Sequence, residues 1–190
     1  MNSDYLENVK KQLEHYKMLG EKTFVQLPDE KLFWQYNETS NSVATLVKHL
    51  WSNMLSRWTG FLTTEGATEW KNREAEFYND IKSRQELLDK WNEGWSCLMN
   101  SINALIEADL QRTVYIRNQA HTVTEAINRQ LAHYSYHIGQ IVYIGKMVCD
   151  HEWTSLTYPR GDSKLNNAEK FIKSEYEVHF TEAYLRENRF

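Results

Sequence analysis

The chain has 190 residues, enough for one domain with a substantial core and short for two. Its 41% hydrophobic and 25% charged residues are ordinary for a soluble globular protein, and a net charge of −4 with scattered Lys and Arg leaves no basic patch for nucleic acid. With only two Pro and seven Gly to interrupt it, long helices are expected and an all-β fold is not.

The opening MNSDYLENVKKQLEHY alternates charged and apolar residues at helical spacing, without the apolar stretch of a signal peptide. A first helix is expected from about Asp4, with Glu7 as its capping-box partner and Leu6, Val9, Leu13 and Tyr16 on its apolar face. Pro28 in QLPDE ends it. A second helix begins at Asn41 or Ser42 and carries Val43, Leu46, Leu50, Met54 and Phe61 before fading in TTEGATE. The segment from Thr63 to about Asp80 is then too long for a hairpin turn and is read as a crossover.

The third helix has the cleanest seam: Leu88, Trp91, Trp95, Leu98, Ile102 and Leu105, in gaps of three and four. Gly94 within it costs about 1 kcal/mol relative to Ala, which points to close packing there. RTVYIRNQAH, inside the connection from Asp109 to His121, has the β-branched and Tyr content of a short hairpin. Thr122 and Glu125 form a capping box for a fourth helix carrying Ile127, Leu131, Tyr134, Ile138, Ile141, Gly145 and Val148. The sum is an all-α four-helix bundle over about residues 4–150 of a single domain, 1–190, with a C-terminal extension over 151–190. Pro159 and Gly161 mark a loop in that extension, and Arg160-Gly161-Asp162 reads as an ordinary turn. An amphipathic segment near Ala168–Tyr184 is expected to cover the open end of the bundle or to meet a second subunit. No run of ~20 apolar residues is present to span a membrane. Cys97 and Cys149 both fall in helical patterns and read as reduced core thiols of a cytoplasmic protein.

LAHYSYHIGQ, Leu131 to Gln140, sets two histidines four residues apart. At ~100° per residue, His137 lies about 60° and His133 about 100° to the same side of Tyr134, on the flank of the buried stripe. Residues four apart stack on one helix face, so both imidazoles can reach one ion. His49 lies about 100° from Leu50, on the flank of the second helix, and is the candidate for a third ligand. His15 and His179 fall on charged faces expected to be exposed, His121 precedes the cap of the fourth helix, and His151 follows its end. Periodicity alone leaves metal ligands and satisfied core histidines both open. A merely solvated flank would more often carry Lys or Glu, and unpartnered buried imidazoles are costly.

His49 in the second helix and H-x-x-x-H at His133 and His137 are accompanied, in order along the chain, by NMLSRWTGFLTTEG, NREAEF, EAINRQLAHYSYHIGQIVY and WTSLTYPRGDS. Together these resemble the DinB/YfiT-like superfamily of metal-dependent enzymes, most closely a bacterial branch of unknown function. The resemblance implies a four-helix bundle, often a homodimer, with a divalent ion such as Zn or Ni held by His49, His133 and His137. It further implies thiol-dependent transfer or isomerisation using a low-molecular-weight thiol, or hydrolysis.

Three neutral histidines leave a divalent ion its charge and its open positions, the composition of a catalytic rather than a structural site. Such an ion acidifies water or a thiol and promotes attack on a small substrate. No general base stands out. Asn53 and Gln140 are candidates to orient a histidine or a bound water, or simply satisfy the polarity of a helix flank. Trp51, Trp58, Tyr134 and Tyr136 wall a pocket or fill the core. Arg57, Arg73 and Arg129 are expected in ion pairs with residues such as Glu76, substrate carboxylate binding being the other use. The competing readings are a non-catalytic, stress-linked metal-binding bundle protein, and a bundle without metal.

Overall fold

Three helices start on a hydroxyl side chain. Ser42, Ser83 and Thr122 accept hydrogen bonds from the backbone N–H groups of Thr45 (3.0 Å), Glu86 (3.2 Å) and Glu125 (3.1 Å). At Thr122 the box is reciprocal, because the Glu125 carboxylate accepts from the Thr122 backbone N–H at 2.7 Å. The computed structural model describes residues 4–63, 80–116, 118–157 and 179–182. It shows helices α1 (Asp4–Gln26), α2 (Val43–Trp58), α3 (Arg84–Asn103) and α4 (Val123–Cys149). A hairpin of β1 (Thr113–Ile116) and β2 (Gln119–Thr122) joins α3 to α4, with Thr113 opposite Thr122 and Ile116 opposite Gln119. Short 3-10 turns lie at Asp29–Phe33, Glu107–Asp109 and Asp150–Glu152.

The apolar stripes meet in one core. The most extensive helix pairings are α2 with α3 and α1 with α4, and α2–α4 and α1–α3 contacts close the bundle. Trp58, Trp91, Trp95, Tyr134, Phe24 and Leu98 are among its fully buried side chains. Small residues set how near the helices come. A Cβ on Gly94 of α3 would stand 3.1 Å from the Trp51 Cα of α2, and one on Gly145 of α4 would stand 2.5 Å from the Thr23 methyl of α1. Arg84 at the start of α3 donates to the Phe24 carbonyl (2.9 Å) and the Leu27 carbonyl, tying the start of α3 to the end of α1.

The seam of α3 differs from expectation by one residue: Leu87 is fully buried while Leu88 is half-buried at the rim. Counting back from Trp91, four residues follow the helical period to Leu87 better than three do to Leu88. The helix α2 ends at Trp58, so Phe61 packs on the core from outside it; Gly60, with φ 62°, turns the chain away. The crossover from 64 to 79 and residues 158–178 lie outside the described residues, as do Arg73, Glu76, Pro159 and the Arg160-Gly161-Asp162 turn. No helix among the described residues is long and apolar enough to cross a membrane. Cys97 and Cys149 are both free and half-buried.

Two histidines expected on exposed faces are not there. His15 is buried, and His179 is half-buried with its Nδ1 2.7 Å from the Thr181 hydroxyl. The cause is the C-terminal segment 179–182, which packs on α1. Glu182 pairs with Lys11 at 3.0 Å, Phe180 lies edge-on to the His15 ring, and Thr181 is fully buried. A second strap follows α4, where Gln26 of α1 exchanges two hydrogen bonds with the Thr154 backbone, at 3.1 and 2.7 Å.

Candidate metal centre

At the contact between α2 and α4, the flanks that carry His49, His133 and His137 face each other. His133 Nε2 lies 3.1 Å from His49 Nε2 and 3.1 Å from His137 Nε2. Two nitrogens each ~2.1 Å from one ion, subtending ~90–110°, lie about 3.0–3.4 Å apart, so this spacing fits a shared cation. One nitrogen from each of the three residues lies within 4.8 Å of the others, and no other group of His, Cys, Asp and Glu among the described residues is arranged to hold an ion. The rings stand edge to face, with centroids 4.6 to 5.2 Å apart, so their nitrogens converge instead of their faces stacking.

Burial controls the charge of this cluster. His49 and His137 are buried and His133 is half-buried. Desolvation holds the His133 imidazole down to about 4, helped by repulsion from His137 when that ring is protonated and by the positive charges of Arg57 and Arg129. Burial lowers His137 as well, partly opposed by its hydrogen bond to Gln140. Both are therefore neutral near pH 7, the form that carries a lone pair for a metal.

Gln140 sits one turn beyond His137, with its Oε1 3.2 Å from His137 Nδ1. An amide oxygen only accepts, so His137 Nδ1 carries the proton and Nε2 turns its lone pair toward the cluster. Gln140 is thus in hydrogen-bond contact with a histidine of the cluster. The buried Nδ1 of His133 has no hydrogen-bond partner among the described residues.

The other candidate is placed differently. Asn53 Oδ1 accepts from the Tyr134 hydroxyl at 3.2 Å, and that hydroxyl accepts from Trp58 Nε1 at 2.8 Å. Asn53 thus closes a polar chain into the core. Trp58 and Tyr134 are core residues, and burial raises the Tyr134 hydroxyl well above its ordinary range. Trp51 is held against α3, its indole N–H on Glu93 at 2.7 Å and its ring under the Lys90 ammonium. Tyr136 is exposed beside His137, with ring centroids 5.0 Å apart. Arg129, expected in an ion pair with a carboxylate, instead meets the His121 ring at 3.1 Å, because the β2 strand ends beside the first turns of α4.

The sequence profile of a family described as "Protein of unknown function (DUF1572)" matches residues 1–162. The chain belongs to this family. The match takes in all four helices and all three clustered histidines. No curated protein and no solved structure matches the chain significantly.

Proposed function

We propose that the protein is a divalent-metal-dependent enzyme of the DinB/YfiT-like superfamily, with His49, His133 and His137 as the metal ligands. The observation that carries this reading is the convergence of three imidazoles, with His133 Nε2 3.1 Å from the Nε2 atoms of both His49 and His137 and all three ligand atoms within 4.8 Å of one another. Three protein ligands leave open positions, which is the composition of a catalytic site. A divalent ion there, Zn or Ni, supplies a Lewis acid that lowers the pKa of a low-molecular-weight thiol or a water and so arms it against a small electrophile. The chain's own residues set the stage. Gln140 holds the His137 tautomer, and burial, helped by the nearby guanidinium groups of Arg57 and Arg129, keeps His133 unprotonated. The protein is read as cytoplasmic, a single domain and a homodimer.

Metal analysis of wild type and His133→Ala, purified alike, tests the site: bound metal near one equivalent is expected in wild type and loss of most of it in the variant. Equal metal content in the two removes the site. Turnover of a panel of small electrophiles with and without added thiol, and of simple esters, then separates the chemistries. Metal- and His133-dependent thiol transfer supports the transferase, and ester cleavage without thiol supports the hydrolase. Bound metal with no turnover leaves the non-catalytic, stress-linked binding protein.

A further inference from the structure

A cleft of about 480 Å³ opens between α4 and the segment that leads from the Asp29–Phe33 turn into α2. Small-molecule sites span roughly 300–1,000 Å³. Trp34 and Tyr36 form one wall, and Tyr143 and Met147 form the other. Leu46 and Gln140, which also line it, lie three residues from His49 and His137 respectively. At 1.5 Å rise per residue these lining positions lie about 4.5 Å along each helix from the backbone positions of the clustered histidines.

Three features say what such a cleft accepts. Its outer wall is pre-formed: Asn37 Oδ1 accepts from the Thr39 N–H at 3.1 Å and the Ser40 hydroxyl at 2.6 Å, and Gln35 donates to the Ser40 carbonyl at 2.9 Å. No lining residue carries a charge, so an ionic ligand would lose hydration without a counter-charge. Aromatic rings stand open to solvent at the mouth, Tyr36 at 74% exposure and Tyr143 at 65%, where a flat apolar molecule covers them. One polar contact is directed. Gln140, which lines the cleft, spends its oxygen on His137, while its amide N–H groups have no partner among the described residues.

We infer that this cleft binds the body of the substrate, a neutral, flat and largely apolar molecule whose carbonyl-type acceptor meets the Gln140 amide. Its catalytic meaning rests on the metal-centre reading, but binding in the cleft does not need the ion. Two neutral fluorescent naphthalenes serve as probes: N-phenyl-1-naphthylamine, without a carbonyl, and 6-propionyl-2-(dimethylamino)naphthalene, with one. They are titrated into wild type, His133→Ala, Met147→Glu, Gln140→Leu and, as a control outside the cleft, Lys146→Glu, each checked for unchanged melting.

Saturable one-to-one binding of both probes is expected in wild type, His133→Ala and Lys146→Glu. A charge at Met147, 46% exposed on the wall, should weaken both by roughly tenfold or more. Gln140→Leu should weaken the carbonyl probe about fivefold, the value of one neutral hydrogen bond, and leave the other probe within about twofold. Absence of saturable binding in wild type overturns the cleft, as does wild-type affinity in Met147→Glu. Equal loss of both probes in Gln140→Leu overturns the carbonyl contact. Probe binding together with a metal content in wild type no higher than in His133→Ala sinks the metal site and keeps the cleft, while bound metal together with no probe binding does the reverse.

Discussion

Replacing Tyr134 by Phe removes one oxygen from the middle of the bundle, and its cost follows from two neighbours. The Tyr134 hydroxyl accepts from Trp58 Nε1 at 2.8 Å and donates to Asn53 Oδ1 at 3.2 Å. Trp58 is 2% exposed, so its orphaned N–H finds no water, whereas Asn53 is half-buried and can turn toward solvent. The loss is therefore dominated by the indole, about 1–3 kcal/mol for an unsatisfied buried donor. For a chain of this length each kcal/mol lowers Tm by about 2–4 °C, so a 2 kcal/mol loss should lower it by roughly 4–8 °C. Urea unfolding followed by circular dichroism on metal-free protein measures it. Trp58→Phe is made alone and together with Tyr134→Phe. Because the double variant leaves no orphaned donor, it should be less destabilised than the sum by about 1–2 kcal/mol. Metal content should stay at the wild-type level, as the hydroxyl points into the core chain and not at the Nε2 cluster. A Tm for Tyr134→Phe within about 1 °C of wild type refutes this reasoning, as does a cycle additive to about 0.3 kcal/mol.

Two further outcomes concern packing and pH. Gly20→Ala would gain about 1 kcal/mol in an exposed helix, but here the new methyl falls inside the van der Waals shell of the Trp91 ring. Phe24 and Trp95 pin that ring, with centroids 4.9 and 5.4 Å away, so a net loss of about 1–2 kcal/mol is expected, and a Tm equal to or above wild type counts against it. In chelator, His133 binds its proton at about 4 in the folded chain but near 6.5 when unfolded. Between those values the unfolded chain holds more protons, so stability is full above pH ~6.5 and falls as the pH drops toward 4. Melting curves across that window should be flatter for His133→Gln than for wild type, and parallel curves would rule out the assignment.

The positions of the helices were readable because their signals are local. Ser42, and Thr122 with Glu125, cap the helices they precede, and the gaps of three and four on α4 mark the face that is buried. The hairpin was readable for the same reason, since β-branched residues at β1 need no distant partner to disfavour helix. His49, His133 and His137 stood out as polar residues on the flanks of apolar stripes, and a flank angle is a property of one helix alone. What no angle contains is the identity of the facing flank. Asn53 and Gln140 looked alike as amides one turn from a histidine, yet one bonds the Tyr134 hydroxyl and the other His137.

By itself, then, the sequence determined four amphipathic helices, the hairpin between the last two, and three histidines on helix flanks. Each follows from spacing and capping within a single segment. Tertiary structure decided which faces close on each other. Segment 179–182 buries His15, a residue whose own helix marks it as exposed. The Trp34–Asn41 segment meets α4 to make a cleft that neither would form alone. Only the approach of α2 to α4 turns three flank histidines into one cluster, with His133 Nε2 3.1 Å from each of the other two. Such contacts join residues far apart in the chain, and their free energy depends on shape and desolvation across an interface that no local pattern encodes.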